Sequence, residues 1–546
     1  MKRTAPWIAA VLSVMALGAS SIAAQPAGKA KKGKGKKPAV AAPVEPQPTD
    51  PYGFGDPTPT PTPGPTPVDP YGAPKPGPTP KPAAGGAPVD PYGAPTPKPA
   101  AGGAPVDPYG APTPKPAPPT PPPAPTPTPT IAPADPYGLA PPPPVDPAAP
   151  VDGSVVGRLD VAAVQGLLAV QSFDGWLLAD VAGQNTVART LVAPAGAPTR
   201  RWFYLIPRTG EPTLLCHIAE VASFAALPGR HVTYSGYRDL DKAVKALLKG
   251  KKTVAMEYSP KGALPSLSRV DAGTLELVKA AAVTVKSSEV LVQFVKATWG
   301  PQGRRSHYIA AHHLGELRKD ALAFIRDRLA SGIPVTELDV QQRIAKGMAL
   351  RGVIGPAPVV AFGKHTADPD YLPNAERAAT LRRGDVVLLS LAGKLDGGVF
   401  AALSWVAVAE RAAPIELAST FDAVARARDE ALALVRDRLK RRRAVQGWEV
   451  DRAARDLFVK GGLDGHALHR TGHSLDSDLL GSGTDLDDLE VKDKRNLVVG
   501  TGFTVGPGLY YVGELGVRAE VSVFLGRDGL EITTPVQDRV EPLLGP

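Results

Sequence analysis

The stretch Thr504–Val521 reads TVGPGLYYVGELGVRAEV. Gly506-Pro507-Gly508 marks a turn, the Tyr-rich run after it is a short strand, and GVRAEV returns as a second strand carrying Glu520. The pattern predicts a hairpin. The chain beyond it continues as strands, with Gly526-Arg527-Asp528-Gly529 as the next turn.

Working back from the hairpin, helices dominate. From about Ser306 to Leu329, Leu314, Leu317, Ala321, Phe324 and Ile325 recur at spacings of three and four, and Gly332 follows the end. Thr336 with Asp339 has the form of a capping box opening a second helix. RRGDVVLLSLAGKLDGG reads as a strand running into a turn, and VFAALSWVAVAE returns as its partner. Phe421–Arg443 and Glu449–Lys460 read as two further helices. Helices followed by a curved antiparallel sheet give an α+β domain.

A smaller α/β pattern precedes it. GWLLADV (Gly175–Val181) is a buried strand, RWFYLIP and TLLCHIAEV flank a hairpin turn at RTGEP, and KTVAMEYSP (Lys252–Pro260) is another strand. DLDKAVKALLKG reads as a helix between them. The chain's one cysteine, Cys216, lies in the apolar run PTLLCHI and reads as a buried small hydrophobe, so no internal disulfide supports the fold.

The first 152 residues differ in kind. MKRTAPWIAAVLSVMALGASSIAAQ has a charged start, a short apolar core and small residues near Ala23 and Ala24, the pattern of a secretory signal. The apolar core is too short to span a bilayer, and no later segment is apolar enough to do so. Gly28–Lys37 holds six lysines, Lys29 to Lys37, which supply much of the formal net charge of +9. That tract is expected to be solvated or to touch an anionic cell-envelope surface; lacking interleaved aromatics, it does not point to nucleic acid. DPYG then recurs at Asp50, Asp69, Asp90, Asp107 and Asp135 among Pro-rich runs. Type I turns joined by polyproline II make a semi-rigid spacer. The expected division is 1–24 signal, 25–152 disordered low-complexity repeats, 153–297 α/β domain and 298–546 α+β domain.

Several groups carry no chemistry on this reading. His312 and His313 are adjacent on a helix and cannot converge on one ion. Lys440–Arg443 (KRRR) complements a helix C-terminus. Asp487 and Asp488 read as surface acids of a charged loop.

RRWFYLIP, VAMEYSP, SRVDAGTLELVK, ADPDYLPNAE, HRTGHS and GVRAEV, colinear from about Phe173 onward, resemble the pita-bread metallopeptidases: creatinase, prolidase and aminopeptidase P, nearest to bacterial Xaa-Pro aminopeptidases. The resemblance implies a pita-bread C-terminal domain preceded by a creatinase-like α/β domain. It also implies a site in which two Asp, one His and two Glu hold two divalent cations about 3 to 4 Å apart around a hydroxide. Carried over position by position, the first Asp (in a run like VLIDLWAKLD) falls on Ser390, the second (VYADITW) on Ala402 and the first Glu (EPGLY) on Gly506. The His at the end of HRTGH is His473, and the second Glu is Glu520. Accessory histidines fall on Asp370 and Leu480, while His469 is retained.

Three of the five ligand positions thus lack a side chain suited to hard cations, which take oxygen donors. Removing carboxylates also removes the mutual repulsion that cations would otherwise neutralise, and leaves Glu520 to pair with a cation such as Arg518. Asp396, Asp476 and Asp478 are nearby acids from which a site would have to be rebuilt. The expectation is an exported, non-catalytic homologue of an Xaa-Pro aminopeptidase with no cofactor. Its vacated cleft would take a proline-containing peptide or a protein at His469, His473 and Trp405. One alternative is an active Xaa-Pro peptidase with atypical ligation by Mn, Co or Zn. Another is an envelope spacer in which the stalk matters most. The family resemblance suggests a homodimer.

Overall fold

The computed structural model describes residues 159–545. The signal, Lys tract and DPYG repeats lie outside the described residues. Strands are numbered in chain order. The first six are β1 (Gly175–Asp180), β2 (Trp202–Pro207), β3 (Thr213–His217), β4 (Arg230–Tyr234), β5 (Thr253–Met256) and β6 (Thr284–Ser287). They form one sheet in the order β4-β3-β2-β1-β5-β6. β1–β2 and β2–β3 are antiparallel, and the other neighbours are parallel.

Every residue of β1 and β2 is buried, because both faces of the sheet are covered. Trp176, Leu178, Trp202 and Tyr204 meet Val164 and Leu167 of the helix Val161–Gln171 on one face. Leu177, Ala179, Phe203 and Leu205 meet Val244 and Val278 on the other. Cys216 is in the first of these cores, and burial pushes its thiol up to about 11, as a packing residue rather than a nucleophile requires.

The rest of the chain adds β7 (Val353–Ile354), β8 (Val359–Phe362), β9 (Val386–Leu395), β10 (Ala401–Val408), β11 (Ser474–Leu475), β12 (Thr501–Val505), β13 (Gly508–Tyr511), β14 (Leu515–Arg518), β15 (Val521–Leu525), β16 (Leu530–Ile532) and β17 (Glu541–Pro542). The long helix runs Pro301–Ala330, five residues earlier than hydrophobic spacing suggests, because Pro301 sits at the first helical position, where its missing N–H is no loss. The next helix, Glu337–Leu350, has the expected capping box: Thr336 Oγ1 accepts from the Asp339 N–H at 3.1 Å, and the Asp339 carboxylate accepts from the Thr336 N–H at 2.8 Å. The second helix pair is Ile415–Lys440 and Gly447–Gly461.

The β9–β10 ladder lies between the two pairs. Side chains alternate between faces: Leu389, Leu391 and Leu403 enter the core of the first helix pair, while Leu388, Val406 and Val408 enter that of the second. Ser390 pairs with Ser404 and Ala402 with Ala392, so these four belong to the second face. Lys296 ties the first part of the chain to the loop after β11. It is 1% exposed, and its Nζ donates to Asp476 at 2.9 Å and Asp478 at 2.8 Å.

Candidate functional site

The opening stretch is a hairpin in two sections. β12 pairs with β15 as far as Val505–Val521, and β13 pairs with β14 from Gly508–Arg518 to Tyr511–Leu515. The ladder is interrupted where Gly506-Pro507 faces Ala519-Glu520. Glu520 is held there by four contacts. Its N–H donates to Ser404 Oγ at 3.0 Å, its carbonyl accepts from the Ser404 N–H at 3.3 Å, and its Oε1 accepts from Arg518 Nη2 at 3.0 Å. Gly506 lies directly against its side chain. The pairing with Arg518 is the one its sequence neighbourhood suggested.

The other ligand positions gather round Glu520. Ser390 lies across the ladder from Ser404, and among the described residues its hydroxyl has no hydrogen-bond partner. The Ala402 N–H donates at 2.9 Å to the hydroxyl of Ser522, two residues beyond Glu520. His473 precedes β11, its N–H donating to Thr504 Oγ1 at 3.1 Å. Burial depresses the His473 imidazole, outweighing the nearby carboxylates of Glu520 and Asp485, which act in the opposite direction. Asp485, held up by burial, escaped the sequence reading. Its tie to the site is a bond from the Ser474 N–H at 2.9 Å, across eleven residues, which no spacing rule flags.

His469 is also in place, but both its ring nitrogens are engaged. Nδ1 faces the Arg470 carbonyl at 2.7 Å and must carry the proton, so Nε2 accepts from the Tyr510 hydroxyl at 2.8 Å. Burial, with Arg518 adding, drops its pKa to about 3, and burial lifts Tyr510 to about 12. Tyr510 is the second participant that sequence reasoning missed, although it stands in the opening stretch. Asp370 is exposed, on a segment pressed against β14, where the Gly516 N–H donates to Thr366 Oγ1 at 2.9 Å. Its charge reaches Arg518 and Tyr510. Leu480 is 60% exposed on the loop beyond Asp478.

Two expectations need correction. Trp405 does not face the cleft: it is an odd number of residues from Ala402 and so points to the opposite face. There its Nε1 donates to Glu541 at 2.5 Å and the Arg318 guanidinium covers its ring at 3.7 Å. Asp487 is not a surface acid: it is fully buried, its Oδ1 accepting from the N–H groups of Leu489 and Glu490, both at 2.9 Å. Asp488 is not a freely solvated surface acid either: its side chain is only 11% exposed, held between Arg452 and Lys492. Of the other nearby acids, Asp476 and Asp478 are paired with Lys296, and Asp396 is exposed at the β9–β10 turn.

The donor set does not fit a pair of divalent cations. Ser390 offers a neutral hydroxyl, Ala402 and Gly506 offer nothing, and Glu520 is already bound to a guanidinium. Among the described residues, no three His, Cys, Asp or Glu side chains are grouped to hold a metal ion.

Comparison with known proteins agrees with the fold. Residues 308–526 match the model of metallopeptidase family M24. A protein of Mycobacterium bovis named "Probable dipeptidase PepE" is 29% identical over 226 residues, covering 39% of this chain and 54% of the relative. An Xaa-Pro dipeptidase of Lactobacillus helveticus is 25% identical over 203 residues, covering 36% of this chain and 49% of the relative. The chain thus spans about half the length of the curated relatives it matches. The crystal structure of dipeptidase PepE from Mycobacterium ulcerans superposes with a TM-score of 0.56 at 22% identity, covering 71% of this chain and 100% of that one. It shares the pita-bread fold.

Proposed function

We propose that this chain, which belongs through residues 308–526 to the pita-bread metallopeptidase family, is an exported, non-catalytic member that binds a peptide or protein in its cleft. The observation that carries this reading is the state of Glu520. The one carboxylate left at the five ligand positions is spent on Arg518, and no carboxylate stands at 390, 402 or 506 to share a cation with it. The Nδ1 hydrogen of His469 is held by a carbonyl and its Nε2 lone pair by Tyr510, so neither ring nitrogen is left facing a ligand.

What remains suits binding. Among the described residues, nothing donates a hydrogen bond to the Ser390 hydroxyl or to the exposed Asp370 carboxylate, which leaves both free to meet a ligand. That the relatives are named as dipeptidases, one of them for Xaa-Pro substrates, supports a proline-containing peptide as the ligand. Export rests on the signal-like residues 1–24, and contact with an anionic envelope surface on Lys29–Lys37. A homodimer is part of the same proposal.

The test is metal content after purification, with Xaa-Pro peptide hydrolysis measured with and without manganese and peptide binding followed by calorimetry. The expected outcome is substoichiometric metal, no turnover, measurable peptide binding and a Tm unmoved by chelator. Two bound metals with robust turnover would establish instead an active peptidase with atypical ligands.

A further inference from the structure

Of the three positions lacking a carboxylate, one differs from the other two in kind. Ser390 and Ala402 already carry a Cβ on a pleated strand, so a carboxylate there extends an existing side chain. At Gly506 a Cβ would lie 2.6 Å from the Glu520 Cβ, 2.7 Å from its Cγ and 3.1 Å from its Cα. The Cγ can rotate away, but the Cβ and Cα move only with the main chain. That main chain is held from both sides. The Gly506 N–H donates to the Thr471 carbonyl at 2.7 Å, while Glu520 is bonded through both backbone groups to Ser404. Paired residues on either side, Val505–Val521 and Gly508–Arg518, fix the spacing.

We infer that position 506 is sterically closed to every side chain, so that restoring carboxylates at 390, 402 and 506 does not rebuild a two-metal centre in this fold. Glu520 occupies the approach to Gly506 and acts as the counter-ion of Arg518 instead of as a ligand. This extends the non-catalytic reading and rests on it, but it fails by different measurements.

Gly506→Ala is the sharpest probe because it adds one carbon. In the otherwise unaltered full chain it is expected to lower Tm by about 5 °C or more, as overpacking against backbone does. In a Glu520→Gly background the same change should cost less than about 2 °C. Equal losses in both backgrounds, or none in the first, would overturn the inference. The second measurement compares Ser390→Asp/Ala402→Asp with the triple variant that adds Gly506→Glu, each titrated with manganese. The double variant should stay folded, and the triple should be less stable and bind no pair of ions. A triple variant with the parent's Tm, or with two manganese ions per chain, refutes it. The functional reading would fail by a different sign, metal-dependent turnover in the unaltered protein.

Discussion

Glu257 in the six-stranded half and Glu520 in the cleft are both buried carboxylates, 0% and 4% exposed, yet they are surrounded differently. Glu257 is ringed by neutral donors: Trp176 Nε1 at 2.6 Å and Ser288 Oγ at 3.1 Å on one oxygen, Asn185 Nδ2 at 2.8 Å on the other. Burial outweighs these donors and raises its pKa. Glu520 has a guanidinium within 3.0 Å. The first carboxyl is a hydrogen-bonding hub that fastens β1, the cap of the helix Thr186–Val192 and the segment after β6. The second is one half of an ion pair. Neutral donors let the raised pKa of Glu257 stand; Arg518 instead places a full opposite charge beside Glu520. The two should therefore differ in how much the loss of a partner costs.

The largest effect is expected from breaking the ion pair. Arg518→Met leaves Glu520 buried with only backbone partners, and removing one member of such a pair typically costs about 3 to 5 kcal/mol. Arg518 is 21% exposed, which favours the lower end, about 3 kcal/mol. Urea unfolding measures it, and Arg518→Lys should recover part of the loss. A cost below about 1 kcal/mol would mean that Arg518 does not carry the charge of Glu520.

Glu257→Gln should cost less, about 1 to 2 kcal/mol, since the amide keeps its acceptor toward Trp176 and Ser288 but sets a donor against Asn185. Its distinctive signature is in pH dependence. Because the folded pKa of Glu257 lies above the ordinary 4.5, its contribution is full below that value and is lost as pH rises through the folded pKa. Tm measured from pH 4.5 upward should therefore decline less in the variant than in the parent. Parallel curves would show that Glu257 is ionised with no penalty and is not the hub described.

How much of this the sequence disclosed follows from where each signal resides. β1 and β2 were legible because an unbroken apolar run is what a sheet covered on both faces requires, and the Thr336 cap because its partners are three residues apart. The family-like motifs singled out positions 390, 402, 473 and 506, and the fold does bring these near Glu520. Trp405 was misplaced although strand alternation alone sets it opposite Ala402. Asp487 was misread because its burial depends on amides of its own loop, which a string of charged letters conceals. Asp485 and the contact of Gly506 with Glu520 arise where distant segments meet, and no local pattern encodes that meeting.

The smallest effect tests His469, another retained group. The folded pKa of His469, about 3, lies below the roughly 6.5 of a free imidazole. Between those values the unfolded chain binds a proton that the folded one refuses, so the contribution of His469 is present above about pH 6.5 and is lost as pH falls. His469→Gln removes that titration while retaining an acceptor for Tyr510, and should flatten the decline of Tm between pH 7 and 4. A residual slope must survive, because His307, between the Phe400 carbonyl and Thr533, is itself pushed down by burial to about 4. If His469→Gln leaves the curve unchanged, the imidazole is free to take up a proton in the folded cleft. The locked chain from Tyr510 through His469 to the Arg470 carbonyl would then not hold. If the slope shrinks, His469 is fixed in one neutral form, its Nδ1 hydrogen on the Arg470 carbonyl and its Nε2 accepting from Tyr510.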